Sequence, residues 1–159
     1  MKVDEGNGGT FENDVAQGSG KIMHANGDEY EGQFVDAKAQ GKGKFKGKNG
    51  NVYIGEWFAN KPHGKGKETW EDGTAYEGEF KEGRKEGKGT ITWNNGCMFT
   101  GYWLNNQMHG NGNYKWANGM DYNGDWQDGK KNGFGVLKFP NGEIYEGSFL
   151  DGKNHGHGK

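Results

Sequence analysis

The chain has 159 residues, 33 of them Gly, 2 Pro and 1 Cys, with a formal net charge of −2. Leu, Ile, Val and Phe number only 21, a scarcity that marks disorder when joined to high net charge and few aromatics; here 14% of residues are Phe, Tyr or Trp, so the apolar surface is aromatic. No apolar run approaches the roughly 20 residues of a membrane span, Met1 opens no apolar signal core, and the lone Cys97 excludes an intramolecular disulfide framework.

Glycine recurs with a period of 23. A G-x-G doublet stands at 18/20, 41/43, 64/66, 87/89, 110/112, 133/135 and 156/158, with no insertion or deletion between copies. Residues 1–17 form an N-terminal extension in which Gly9 and Phe11 fall on the phase of a degraded half-unit. Six units follow, at 18–40, 41–63, 64–86, 87–109, 110–132 and 133–155. Residues 156–159 begin a seventh, truncated one, which points to a fragment of a longer protein or to a cap.

Counting each unit from its first glycine, position 13 reads Tyr30, Tyr53, Tyr76, Phe99, Tyr122, Tyr145 and position 17 reads Phe34, Trp57, Phe80, Trp103, Trp126, Phe149. Position 7 is Trp70, Trp93, Trp116 and Phe139 in the last four units, whereas His24 and Gly47 break it in the first two. Position 5 is apolar except at Glu68.

Positions 9 and 10 are Asn-Gly in five units and Asp72-Gly73 in the third, a strong hairpin signal. A two-residue loop would split positions 5 and 7 from 13 and 17. A three-residue loop over positions 8–10, a type I turn closed by a G1 bulge, puts all four on one face. Pro140 at position 8 favours the longer loop, since its fixed φ suits the first central residue of a type I turn. In that register Lys21 faces Glu31, Lys67 faces Glu77 and Lys115 faces Asp121. Positions 18–23 read as the polar turn to the next hairpin, with Gly83, Gly129 and Gly152 placed for positive φ.

A lone hairpin is marginal in water, but stacked hairpins make their apolar contacts continuous. The fold expected is therefore all-β, an elongated single-layer antiparallel meander, with 12 strands spanning roughly 58 Å at a 4.8 Å spacing. Glycines at positions 3 and 15 lie on the aromatic face and leave room for neighbouring rings.

Units such as G-K-G-T-I-T-W-N-N-G-C-M-F-T-G-Y-W and G-F-G-V-L-K-F-P-N-G-E-I-Y-E-G-S-F resemble MORN (membrane occupation and recognition nexus) repeats over residues 18–155. That resemblance implies a rod-like β-meander acting as a scaffold or adaptor. It also implies settings in which such modules occur: cytoskeletal and ciliary assemblies, membrane junctions, and the neighbourhood of phosphatidylinositol phosphate kinase domains.

No nucleophile and base set stands apart from the repeat, so no enzymatic activity and no cofactor are expected. Gly18-Ser19-Gly20-Lys21 lacks the full spacing of a phosphate-binding loop. His63, His109 and His155 recur 46 residues apart, too far to share a metal in a stacked array. An uncovered aromatic stripe is the better functional clue, because a single layer has no second layer to bury it. The candidates for partner contact are Trp70, Trp93, Trp116 and Phe139, with Tyr76, Phe99, Tyr122, Trp103 and Trp126 lining the same groove. Its expected occupant is a helix or extended segment of a protein.

Lys42, Lys44, Lys46 and Lys48 line the polar face as a basic stripe, the alternative site, for anionic (phosphoinositide) lipid headgroups or an acidic partner segment; the other alternative is a regulatory repeat domain of a larger enzyme. Nucleic acid does not fit so short a patch on an acidic chain. The terminal strand edges offer a route to self-association, and the expected location is cytoplasmic, with cytoskeletal, ciliary or membrane association.

Overall fold

In a computed structural model, the described backbone comprises residues 2–4, 9–12, 15–150 and 153–158, with side chains from 18 to 150. The chain divides into two compact units, Met1–Gly83 and Arg84–Lys159. The first holds β1 (Lys2–Asp4), β2 (Gly9–Glu12), β3 (Val15–Met23), β4 (Glu29–Val35), β5 (Lys38–Lys46), β6 (Val52–Phe58), β7 (Lys61–Thr69) and β8 (Ala75–Lys81). The second holds β9 (Arg84–Thr92), β10 (Met98–Leu104), β11 (Gln107–Lys115), β12 (Asp121–Gln127), β13 (Lys130–Lys138), β14 (Ile144–Leu150) and β15 (Lys153–Gly158). Within each unit the strands form an open, single-layer antiparallel meander, and no helix occurs among the described residues. β1 and β2 both lie along β3, with Val3 opposite Ile22 and Phe11 opposite Ala16.

The Asn-Gly tips adopt the three-residue form. In each, the position 7 N–H donates to the position 11 carbonyl and the position 10 N–H donates back to position 7, as at His24, Gly27 and Asp28 (2.8 and 3.0 Å). The tip glycines have φ between 91° (Gly96) and 99° (Gly27), the left-handed geometry of a G1 bulge. The side chain at position 9 accepts from the N–H two residues on in all six units: Asn26 to Asp28, Asn49 to Asn51, Asp72 to Thr74, Asn95 to Cys97, Asn118 to Met120 and Asn141 to Glu143. That Asx bond explains the amide or carboxylate before every tip glycine. It also holds the Asp72 carboxyl below its ordinary range, chiefly through the Thr74 N–H.

The register follows. Ile22 stands opposite Tyr30, Lys21 opposite Glu31, Lys67 opposite Glu77 and Lys115 opposite Asp121.

The connection between hairpins differs from expectation. Instead of a six-residue polar turn, two consecutive residues take positive φ: Asp36 and Ala37, Ala59 and Asn60, Glu82 and Gly83, Asn105 and Asn106, Asp128 and Gly129. This is the type I′ geometry, whose twist matches that of the flanking strands. The next strand therefore resumes at position 21, and position 22 points to the aromatic face, where Ala39 is 5% exposed. Gly152 lies outside the described residues.

Past the Gly–Gly pair that joins one hairpin to the next the register shifts, as between Gly32 and Phe34 and between Gly55 and Trp57, whereas the Gly–Gly pair inside a hairpin, such as Gly20 with Gly32 or Gly43 with Gly55, leaves it unbroken. At the shift the position 16 side chain covers the freed backbone: Gln33 Oε1 accepts from the Lys42 N–H (2.8 Å) and Glu56 Oε1 from the Lys65 N–H (3.0 Å).

Candidate binding groove

The aromatic face is organised by glycine. Four position 13 rings lie over a cross-strand glycine pair: Tyr30 over Gly32 and Gly43, Tyr53 over Gly55 and Gly66, Phe99 over Gly101 and Gly112, Tyr122 over Gly124 and Gly135. A Cβ on any of these glycines would overlap the ring above it. The tyrosine hydroxyls then reach past the glycines to donate to the position 16 carbonyl, Tyr30 to Gln33 (2.8 Å), Tyr53 to Glu56 (2.7 Å) and Tyr122 to Asp125 (3.0 Å). Burial pushes the phenols of Tyr30 and Tyr122 up to about 12 from the ordinary 10.0, and raises Tyr53 and Tyr76 as well.

Neighbouring rings meet edge to face. Tyr53 touches Trp57 and Phe80, both with centroids at 5.1 Å, and Tyr122 touches Trp126 and Phe149 at 5.3 and 5.1 Å. Such T-shaped pairs add to area burial. Two position 17 indoles also donate into the sheet, Trp57 Nε1 to Gly43 O and Trp103 Nε1 to Gly89 O. The Trp126 Nε1 has no hydrogen-bond partner, and its ring stacks on Tyr114 at 5.7 Å instead.

This packing sorts the residues singled out from the sequence. Tyr76, Phe99 and Tyr122 are fully buried, while Trp103 and Trp126 are 5% and 6% exposed. They support the face from beneath. Trp70, Trp93, Trp116 and Phe139 are half-buried. Trp93 and Trp116 close on Tyr114 from both sides, with centroids at 5.3 and 4.5 Å. Lys131, at position 22, extends its ammonium over Trp116, Tyr122 and Phe149 at 5.4, 5.8 and 5.9 Å. Burial lowers its affinity for a proton. The face of the second unit is thus filled by its own side chains.

The first unit is different. A groove of about 460 Å³ is lined by Ile22, Tyr30, Phe45, Tyr53 and Trp57, with His24, Ala39, Pro62, Asn60 and Glu68 at its margins. A second hollow of about 490 Å³, lined by Gly47 among others, adjoins it at Phe45, Tyr53 and Glu68. The opening has a sequence cause. His24 and Gly47 stand where later units carry Trp or Phe, and Ala39 and Pro62 stand where the second unit carries Lys85 and Lys131. Glu68 brings a carboxylate onto the apolar face, opposite Tyr53 and Tyr76. Its charge helps raise the Tyr53 phenol, after burial and Glu56.

Position 22 carries no mark of its place in the sequence, because it falls within the polar stretch of positions 18–23 that reads as a turn. Strand parity, counted back from positions 5, 3 and 1, would have put it on the aromatic face.

The lysine stripe is exposed on the opposite face and matched by carboxylates. Lys42 stands across from Glu56, Lys44 from Glu31 and Lys46 from Glu29, while the Lys48 N–H donates to Asp28 Oδ1 (2.8 Å). His63 Nδ1 accepts from the Glu82 N–H at 3.3 Å, and no group of three or more His, Cys, Asp or Glu among the described residues is placed to hold a metal. Among the same residues no helix is long and apolar enough to cross a membrane.

A family model described as MORN repeat matches residues 9–29, 30–52, 53–75, 76–98, 99–120, 122–144 and 145–159. The chain belongs to the MORN repeat family. Six of the seven matched MORN segments begin on a position 13 ring, at Tyr30, Tyr53, Tyr76, Phe99, Tyr122 and Tyr145. The protein is accordingly a repeat module from a non-catalytic family. Among solved structures it is similar to the TCP domain of SAS-4 (dCPAP) of Drosophila melanogaster, in complex with a proline-rich motif of Ana2 (dSTIL), at 15% identity and a TM-score of 0.36 over 82% of this chain and 84% of that one. No curated protein matches the sequence significantly.

Proposed function

We propose that this MORN repeat protein is a non-enzymatic adaptor that holds a short segment of a partner protein in the groove of its first unit. The observation that carries the reading is the contrast between the two units. One aromatic face is covered by Trp93, Trp116 and Lys131, and the other is left open at His24, Ala39 and Pro62, with Gly47 lining the adjoining hollow. An apolar groove floored by rigid rings loses little side-chain entropy when it is filled, and aromatic floors of this kind are enriched at binding hot spots.

The test uses a phage-displayed library of random dodecapeptides selected on the protein and counter-selected on the His24→Trp, Gly47→Trp double variant. That variant restores the ring that later units already tolerate next to the same Asn-Gly tip. The expected result is a set of peptides whose affinity falls about tenfold or more on the double variant. Peptides that bind both proteins equally, or no recovered binder at all, would refute the groove.

A further inference from the structure

Position 22 supplies an internal precedent for what the groove takes. In the second unit the Lys131 ammonium sits over three rings, Trp116 of position 7, Tyr122 of position 13 and Phe149 of the next position 17. Lys85 repeats part of the arrangement, with its Nζ 5.8 Å from the Trp103 centroid. All these distances fall within the roughly 6 Å over which an aromatic face attracts a cation. The equivalents of Lys131 and its three rings in the first unit are Ala39, His24, Tyr30 and Trp57. All four line the groove. The fold thus repeats at Ala39 a place that Lys131 fills in the second unit and Lys85 in part, with the lysine cut back to a methyl and His24 in place of the indole.

Glu68 strengthens the parallel. It lines the same groove as Tyr30 and Trp57 and occupies a column that is otherwise apolar. A carboxylate in a ring-lined groove selects for a cation and against an anion.

We infer that the groove seats a lysine side chain of the bound partner segment, its ammonium over Tyr30 and Trp57 and beside Glu68, as Lys131 is seated within the second unit. This rests on the groove being the protein-binding site, and it adds the chemistry of the residue recognised. The lysine stem packs along Ala39 and Pro62 while the head meets the rings, the division of labour that long basic side chains commonly adopt.

The test is an NMR titration of the whole protein with n-butylammonium chloride, which reproduces the end of a lysine side chain, and with n-butanol as the uncharged control, at constant ionic strength. The inference predicts a saturable shift of the Trp57 indole N–H with the ammonium and a response to the alcohol at least about fivefold weaker. Ala39→Lys, which carries the cation on the chain itself, should abolish the response, and Glu68→Gln should weaken it about fivefold. If the spectrum of Ala39→Lys shows that it does not fold, Glu68→Gln decides alone. Equal responses to ammonium and alcohol, no saturable shift, or a shift untouched by the folded variants would overturn the inference.

The titration and the peptide selection fail separately. Lysine-free peptides that still require the open groove, with a flat titration, would keep the groove and remove the lysine. A positive titration with no recovered peptide would keep the cation site and remove the partner segment.

Discussion

At the residue scale, the fold turns on the contact between a ring and a missing side chain. Gly66 has no room for a Cβ beneath the Tyr53 ring and hydroxyl, so Gly66→Ala should lower stability in urea by about 1–3 kcal/mol. The cost belongs to the pair. In a Tyr53→Leu background the same change should cost far less, and equal costs in both backgrounds would contradict the arrangement.

The tyrosines make a second prediction at this scale. Burial holds Tyr30 at about 12 against an ordinary 10.0. Tyr122 is held at the same value by burial and by the nearby Asp125 charge. A phenol whose folded value is raised contributes stability that is fully present below pH 10 and lost as pH rises through about 12. Circular dichroism and tyrosinate absorbance should therefore show a flat plateau up to pH 10 and cooperative unfolding above it, with phenol ionisation tied to the unfolding step. Ionisation of these phenols near pH 10 in an intact fold would contradict their burial.

At the element scale, the hairpin tip is where one repeat can instruct another. Pro140 occupies the first central position of its type I turn, with Phe139 and Gly142 closing the loop. Ala117 stands at the same place one unit earlier. Ala117→Pro should gain about 0.4–1 kcal/mol by restricting the unfolded chain, read from thermal unfolding. Lys48→Pro should lose stability instead, because the Lys48 N–H is the donor to Asp28 Oδ1.

The tip and the register were legible in the sequence because Asn-Gly, Pro140 and the two-residue alternation all agreed on one loop length. The type I′ connection was not, since pairs such as Asp36-Ala37 and Ala59-Asn60 carry no glycine to announce two left-handed residues in succession. That single omission hid position 22, and with it both the Lys131 contacts and half of the groove margin. His24, Gly47 and Glu68 were visible as breaks in the pattern. Their meaning was not, because a groove is made by absent rings, and absence becomes a cavity only once the neighbouring rings are placed.

At the scale of the whole molecule, one repeat sequence yields two kinds of aromatic face. The unit Arg84–Lys159 covers its own rings with Trp93, Tyr114, Trp116 and Lys131, whereas the unit Met1–Gly83 leaves Tyr30, Phe45, Tyr53 and Trp57 lining an open groove. Trimming Lys131 should make the second face resemble the first: Lys131→Ala is expected to give n-butylammonium a second responsive site at the Trp116 indole, absent from the wild type.

The most direct measurement is an NMR map of the wild-type backbone and indole resonances against a dodecapeptide selected from the library. The account predicts perturbations concentrated at Ile22, His24, Tyr30, Ala39, Phe45, Tyr53, Trp57 and Glu68. Perturbations centred on Trp93, Trp116 and Phe139, with the first unit unmoved, would contradict it.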